Sequence, residues 1–351
     1  MIDSNFIKAV LERYSGIVGA GIFVLPLLFY QSNFYFALLG LVIITLGMII
    51  LDRLYVSIIL DTSGHHQLPG YARIYLGRFW GFLALANMLI LGLGAMAAYV
   101  QLGTGFIQLL LSNSPFLICQ LIFLAFLGAF HAKGSRLVGK ITHYIPLTGL
   151  VIVLFLFAAS LKVPFNFTLP SSNYAFLGPL VFALTGFVII PDVERLLSKD
   201  KDKKIKLIWA TALGTLLAAL TYGLFTIAVI LLSGSYLSAD TVSGLFKVSS
   251  KLGQISAILG ILLTFKGCLN FLTSLEEVFL HDFRFSPDHS LLLSFLIPIL
   301  TLSLFKFSFV KIIAFTGSVS VFISALIIIR VKLSQWRIKS KKSRKSLILS
   351  R

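Results

Sequence analysis

The sequence predicts an all-α integral membrane protein of about ten transmembrane helices, arranged as two inverted five-helix repeats with the first and sixth helices broken. Three observations carry that prediction. The chain is 58% hydrophobic with a mean hydropathy of +0.96, more apolar surface than a soluble protein can bury. Its charged residues, 12% of the total, gather between apolar runs of about 20 residues, the length that crosses a bilayer. One glycine–proline pattern then occurs twice, once in each half of the chain.

In order, the spans fall at 6–30, 33–60, 79–110, 115–132, 141–161, 174–196, 206–233, 253–281, 288–306 and 309–332. The fourth and ninth are short, and the third and eighth are long enough to tilt or project. Outer-membrane strands are excluded, because those are about 10 residues long and alternate. The expected organisation is one transmembrane domain over 1–332, with repeats at about 6–161 and 174–332, and a basic tail at 333–351. No cleavable signal pattern precedes the first span, which is therefore expected to be retained.

The formal net charge is +17. One set of loops carries Arg73, Arg78, Lys133, Arg136 and Lys140, then Arg195 to Lys206, then Arg284 and the tail from Arg330 to Arg351. The opposite loops hold only Lys162, Lys247, Lys251, Lys306 and Lys311. The positive-inside rule puts the basic side and both termini in the cytoplasm, with the protein in the plasma membrane. This placement leaves no call for a nucleic-acid partner. The tail run Arg337 to Lys345 reads as a flank that fixes topology, with a grip on anionic lipid as the alternative.

Cys119 and Cys268 fall in predicted spans and imply neither a disulfide framework nor a metal site. His65-His66 lacks further ligands at metal spacing and reads as a solvated loop. No metal or cofactor is expected. Gly70 to Trp80 mixes basic and aromatic residues and reads as a short amphipathic helix at the cytoplasmic interface.

The first span contains Ser15-Gly16-Ile17-Val18-Gly19-Ala20-Gly21-Ile22-Phe23-Val24-Leu25-Pro26. Glycine costs about 1 kcal/mol against alanine in a helix interior, and proline about 3. A break at membrane depth survives only where it is buried in protein or lines a cavity. The sixth span repeats the pattern: Gly186-Phe187-Val188-Ile189-Ile190-Pro191 matches Gly21-Ile22-Phe23-Val24-Leu25-Pro26. The two spans cross in opposite directions. Paired interruptions at matching positions of two halves point to a transport site, with close helix packing as the competing use of the small residues.

These same residues carry a family resemblance. Gly16 to Pro26 resembles the first-helix motif of amino-acid permeases, and Phe182 to Pro191 resembles their sixth helix. Leu207-Ile208-Trp209-Ala210-Thr211 and Tyr222-Gly223-Leu224-Phe225 resemble their seventh. The likeness is greatest to the bacterial aromatic amino-acid permease group of the amino acid/polyamine/organocation superfamily, over essentially all ten spans. The resemblance implies a LeuT-like core working by alternating access, with secondary symport of aromatic or other neutral amino acids.

An amino-acid zwitterion needs a partner for each charge. The outer half of the first helix offers its N-terminal amides, at Gly19, Ala20, Gly21 and Ile22, to the carboxylate. The carbonyls of Ile17 and Val18, with Phe182, Ala183 and Thr185 at the Gly186 break, are assigned to the ammonium. Phe187 reads as a wall or gate. Gly92, Gly94 and Ala95 leave room for a bulky side chain, or serve tight packing.

Lys266 falls midway along the eighth span. A lysine at that depth is costly and marks function by default. In sodium-coupled proteins of the resembled fold the eighth helix meets the first at a cation site, so the Lys266 ammonium would stand in for sodium. The coupling ion is then a proton, with sodium the alternative, and Asn270 lies one turn on where it can bond Lys266. A structural pairing is the competing reading. Glu12 and Arg13 read as interfacial charges, or as an inner gate with Asp192 or Glu194. Asp52-Arg53 and Glu276-Glu277 read as interfacial.

Other classes find little support. The spans hold no nucleophile–base set or paired catalytic acids for an enzyme. There is no phosphate-binding loop for a pump and no filter signature for a channel. The remaining alternative is a nutrient-binding sensor on a transporter fold, resembling spore-germination membrane subunits.

Overall fold

The doubled glycine–proline pattern interrupts the helix twice, each time with a 3₁₀ turn before the second half-helix. The computed structural model describes residues 3–112, 114–133, 144–164, 174–302 and 308–349. Arg136, Lys140, Lys306 and Arg351, and the side chains of Lys341 to Lys345, lie outside what is described. Helix α1 (Ser4–Ile17) ends in extended residues Val18 and Gly19, and a 3₁₀ turn (Ala20–Phe23) leads into α2 (Leu25–Gln31). The two halves are bent by 52°. Pro26 sits in the first turn of α2, where a missing N–H breaks no helical bond.

The first half continues with α3 (Phe34–Leu60), α4 (Leu68–Leu76), α5 (Arg78–Leu110), α6 (Phe116–Ala132) and α7 (Tyr144–Ser160). Helix α4 is the expected interfacial segment, but it buries Leu68 to Ala72 against the protein. It stops at Gly77, whose φ of 97° suits glycine and turns the chain directly into α5.

The second half opens with α8 (Leu177–Ala183), a 3₁₀ turn (Phe187–Ile189) and α9 (Ile190–Leu196). Pro191 again lies in the first turn of the second half-helix. Then follow α10 (Lys203–Ser233), α11 (Val242–Val248), α12 (Ser250–Glu277), α13 (Pro287–Leu302) and α14 (Phe309–Leu349). A π turn (Val278–Asp282) extends α12. The stretch expected as a separate tail continues α14 as helix through Leu349. Among the described residues six helical segments are long and apolar enough to cross a membrane, and the bent first pair makes a seventh. Over the described residues, α6 and α7 run 17 residues each and α13 runs 16.

Helix α14 is a strut for both halves. It packs on α5, where the Asn87 amide donates to Ser320 O at 2.9 Å and reaches Ser324 Oγ at 2.8 Å. Gly94 belongs to this crossing, since a Cβ there would strike Thr316. That assigns Gly94 to packing rather than to room for a ligand. Helix α14 also packs on α8 through Gly178 and Gly317. A Cβ on Gly178 would lie 2.7 Å from Ala314 O, and one on Gly317 would lie 2.7 Å from Phe182 Cβ. Backbone contact of this kind fixes the first half of the sixth span.

Gly317→Ala should therefore destabilise the protein by about 1–3 kcal/mol through overpacking. A Cβ at Gly105 on α5 meets nothing within 4 Å, so Gly105→Ala should be neutral or stabilising by up to about 1 kcal/mol. Thermal unfolding of the detergent-purified variants reads both.

Candidate functional site

The two breaks interlock glycine against bulky residue. A Cβ on Gly16 would lie 2.5 Å from Ile189 Cγ2, one on Gly21 2.8 Å from Ala183 Cβ, and one on Gly186 2.7 Å from Ile17 Cγ1. Close approach of two chains is thus one reason for the glycines. Tyr222 on α10 then ties the breaks together. Its Oη lies 2.8 Å from Ile17 O and 2.9 Å from Ala183 O, and the Gly19 amide faces the same hydroxyl. The Ile17 and Ala183 carbonyls, expected to face an ammonium, are bonded to Tyr222 in this conformation.

A cavity of about 40 Å³ lies beside the breaks. Gly16, Thr185, Gly186 and Ile189 form its backbone side, and Tyr99, Phe182 and Phe271 its aromatic side. The Tyr99 ring packs against Phe182 at 6.3 Å and Phe271 at 6.2 Å between centroids. Asn270 and Ser274 on α12 supply polar lining. Thr185 donates its hydroxyl to Val181 O at 2.7 Å, leaving its lone pairs to accept. Of the expected residues, Phe182, Thr185, Gly186 and Asn270 line this cavity. Ile17, Val18, Gly19, Ala20, Gly21, Ile22 and Ala183 form the buried chain around the breaks. Phe187 lies elsewhere, edge-on to Tyr55. Tyr99, Phe271, Ser274 and Tyr222 were not among the residues the sequence singled out as site residues.

Lys266 is buried at 1% exposure, and its ammonium donates to the Ser15 carbonyl. That carbonyl lies in the last turn of α1, where helix carbonyls lack intrahelical partners and the dipole end is negative. Asn270 makes no bond to Lys266 and faces the cavity instead. Glu12, one turn before Ser15, is the acidic group that acts on Lys266 electrostatically.

Arg13 and Asp52 are not interfacial. Both are buried and form an ion pair at 2.5 Å. Arg13 Nε also donates to Thr215 Oγ1 at 3.2 Å, and Nη1 donates to the Gly186 carbonyl. One guanidinium so joins α1, α3, α10 and the second break. Asp192 and Glu194 have other partners. Arg195 bonds Glu277 at 2.5 Å and Asp192 at 3.2 Å, and Gln67 on the α3–α4 loop bonds Glu277 at 3.0 Å. Glu194 pairs with Lys203 and with His65, the latter at 3.4 Å. His66 is docked on Asp282 at 3.1 Å rather than solvated. Nearby, Lys206 holds the Asp3 and Asp200 carboxyls below the usual carboxylate range by hydrogen bonding both. Among the described residues no three His, Cys, Asp or Glu side chains are grouped to hold a metal ion.

Two discontinuous helices related by inversion and meeting at a small cavity define a secondary transporter working by alternating access. The chain matches the model of the tryptophan/tyrosine permease family over residues 5–349 and belongs to that family. No protein of curated function matches it. Its fold is similar to that of Mhp1, a nucleobase-cation-symport-1 family transporter. The closed, bromovinylhydantoin-bound form gives a TM-score of 0.66 at 12% identity, covering 88% of this chain and 74% of that one. The inward-facing form gives 0.63 at 13%, covering 92% and 73%.

Asp52→Ala would leave Arg13 as an unpaired buried charge and should cost about 3–5 kcal/mol. The double variant Arg13→Leu, Asp52→Leu should recover much of that loss in thermal unfolding. Tyr222→Phe removes the donor at both breaks and should cost about 1–3 kcal/mol. Hydrogen–deuterium exchange should then rise at Ala20–Phe23 and Phe187–Ile189 ahead of the helices around them.

Proposed function

We propose that the chain is a proton-coupled symporter of aromatic or other neutral amino acids in the cytoplasmic membrane, with both termini in the cytoplasm. The observation that carries this reading is the Lys266 ammonium on the Ser15 carbonyl at the first break. A lysine buried at that junction supplies a cation in place of a bound metal ion and brings with it an exchangeable proton. Under this reading, breaking the Lys266–Ser15 bond frees α1 from α12.

The cavity supports an aromatic substrate class. Tyr99, Phe182 and Phe271 offer ring faces, while Thr185 and Asn270 offer polar atoms near the half-helix ends. At about 40 Å³ the cavity is far smaller than the few hundred cubic ångströms of a ligand pocket. The conformation is closed, and a substrate enters by parting the rings. The amides of Gly19 to Ile22 take the carboxylate as α5 and α12 move away from the first break. Ile17, Val18, Phe182, Ala183 and Thr185 take the ammonium, the Ile17 and Ala183 carbonyls through the lone pairs that Tyr222 leaves unused. The loops bearing Arg73, Arg195 and Arg284 set the cytoplasmic side.

Uptake of labelled amino acids into proteoliposomes tests this. An inward proton gradient should drive accumulation of tryptophan, tyrosine or another neutral amino acid, and Lys266→Ala should abolish it while leaving substrate binding measurable. Accumulation driven by sodium alone would overturn the lysine assignment. Saturable binding with no uptake under any gradient would favour the sensor reading.

A further inference from the structure

Two contiguous hollows lie at the basic end of the molecule, between α4, the start of α5 and the π turn after α12. The larger, about 570 Å³, and the smaller, about 170 Å³, share Gly70, Arg73, Asp282 and Phe283. Arg284 lines the larger and Arg78 the smaller. Among the described residues none of these three guanidiniums has an ion-pair or hydrogen-bond partner, and all three are exposed. The acid present is already engaged. Asp282 accepts the Gly70 amide at 3.2 Å and lies 3.1 Å from His66 Nδ1. The hollows therefore carry surplus positive charge with donors unused.

Two further features set the ligand class. Arg284 has a φ of 60°, a conformation that favours glycine, yet a long cationic side chain is kept there. Phe82 lines the smaller hollow and is 68% exposed, with Phe79 at 70% on the preceding turn of α5. Planar guanidiniums match phosphate oxygens, and an exposed ring face beside them matches an acyl chain. A zwitterionic headgroup would bring its own cation against the arginines.

We propose that this cleft binds a phosphate group, that of an anionic phospholipid, with Arg73, Arg78 and Arg284 on the phosphate and Phe82 against the chain. The site is separate from the cavity at the helix breaks and is independent of the substrate and ion assigned there.

Native mass spectrometry of the full chain in neutral detergent tests the proposal, titrating phosphatidylglycerol, phosphatidylcholine and inorganic phosphate separately. Phosphatidylglycerol should bind in preference to phosphatidylcholine. The double variant Arg73→Gln, Arg284→Gly should weaken that binding at least about tenfold. It keeps most of the Arg73 stem and gives position 284 the residue its backbone favours, so its unfolding midpoint without lipid should match the parent's. Arg78→Gln, a milder change, should weaken binding in the same direction, while Arg337→Gln on α14 should not. Equal binding of the two lipids, or equal phosphatidylglycerol binding by parent and variants, would overturn the proposal. Tight binding of inorganic phosphate that displaces the lipid would overturn the lipid source and assign the cleft to a soluble phosphate compound.

Discussion

Lipid offers no hydrogen bonds, so every carbonyl released by a broken span must find a partner inside the protein. Side chains from elsewhere in the chain meet that demand here. Ser15 O takes Lys266, Ile17 O and Ala183 O take Tyr222, and Gly186 O takes Arg13. Thr241, at the start of α11, donates to Phe23 O at 2.6 Å. Each donor is buried, and Lys266 and Thr241 would be uncompensated polar groups if their carbonyls moved away. The breaks and their donors therefore hold one another in place.

The donors fall into two kinds. Arg13 and Tyr222 join α1, α3, α10 and the sixth span to one another. Their bonds, together with the glycine interlocks, make these helices one stiff body. Lys266 comes from α12, outside that body, and grips the end of α1. Arg195–Glu277 makes a second crossing at the basic end. In alternating access the bonds that cross between bodies must be remade in each cycle, while those within a body can persist. A single positive charge is suited to the crossing bond. It holds the negative end of a helix.

The fold was legible in the sequence because its signals are local. Apolar length located the spans, and glycine five residues before proline located both breaks to within a residue or two of Gly19 and Gly186. Lys266 stood out because charge inside a span is rare. Arg13 and Asp52 carried the same signal, but they lie near span ends, where sequence cannot separate an interfacial charge from a buried pair. Tyr99, Phe271 and Tyr222 were hidden for another reason. In a chain with 32 Phe and 11 Tyr, no spacing rule says which rings meet across helices. Gly94 was ambiguous until its neighbour on α14 was known, because a small residue makes room equally for a ligand or for a helix.

The closed cavity constrains how such a machine opens. Gly16, Gly21 and Gly186 leave no slack between the breaks, since even one added carbon on each would strike the opposite chain. Widening the site by separating the breaks would also strip Tyr222 from two carbonyls at once. The rings on the far side are held differently. Tyr99 on α5 meets Phe182 edge-on and Phe271 on α12 at a tilt. Such contacts are worth about 0.5–1.5 kcal/mol beyond area burial, and an incoming aromatic side chain can replace them in kind. The lower-cost opening is therefore movement of α5 and α12 away from the paired breaks, and the Lys266–Ser15 bond lies across that same seam.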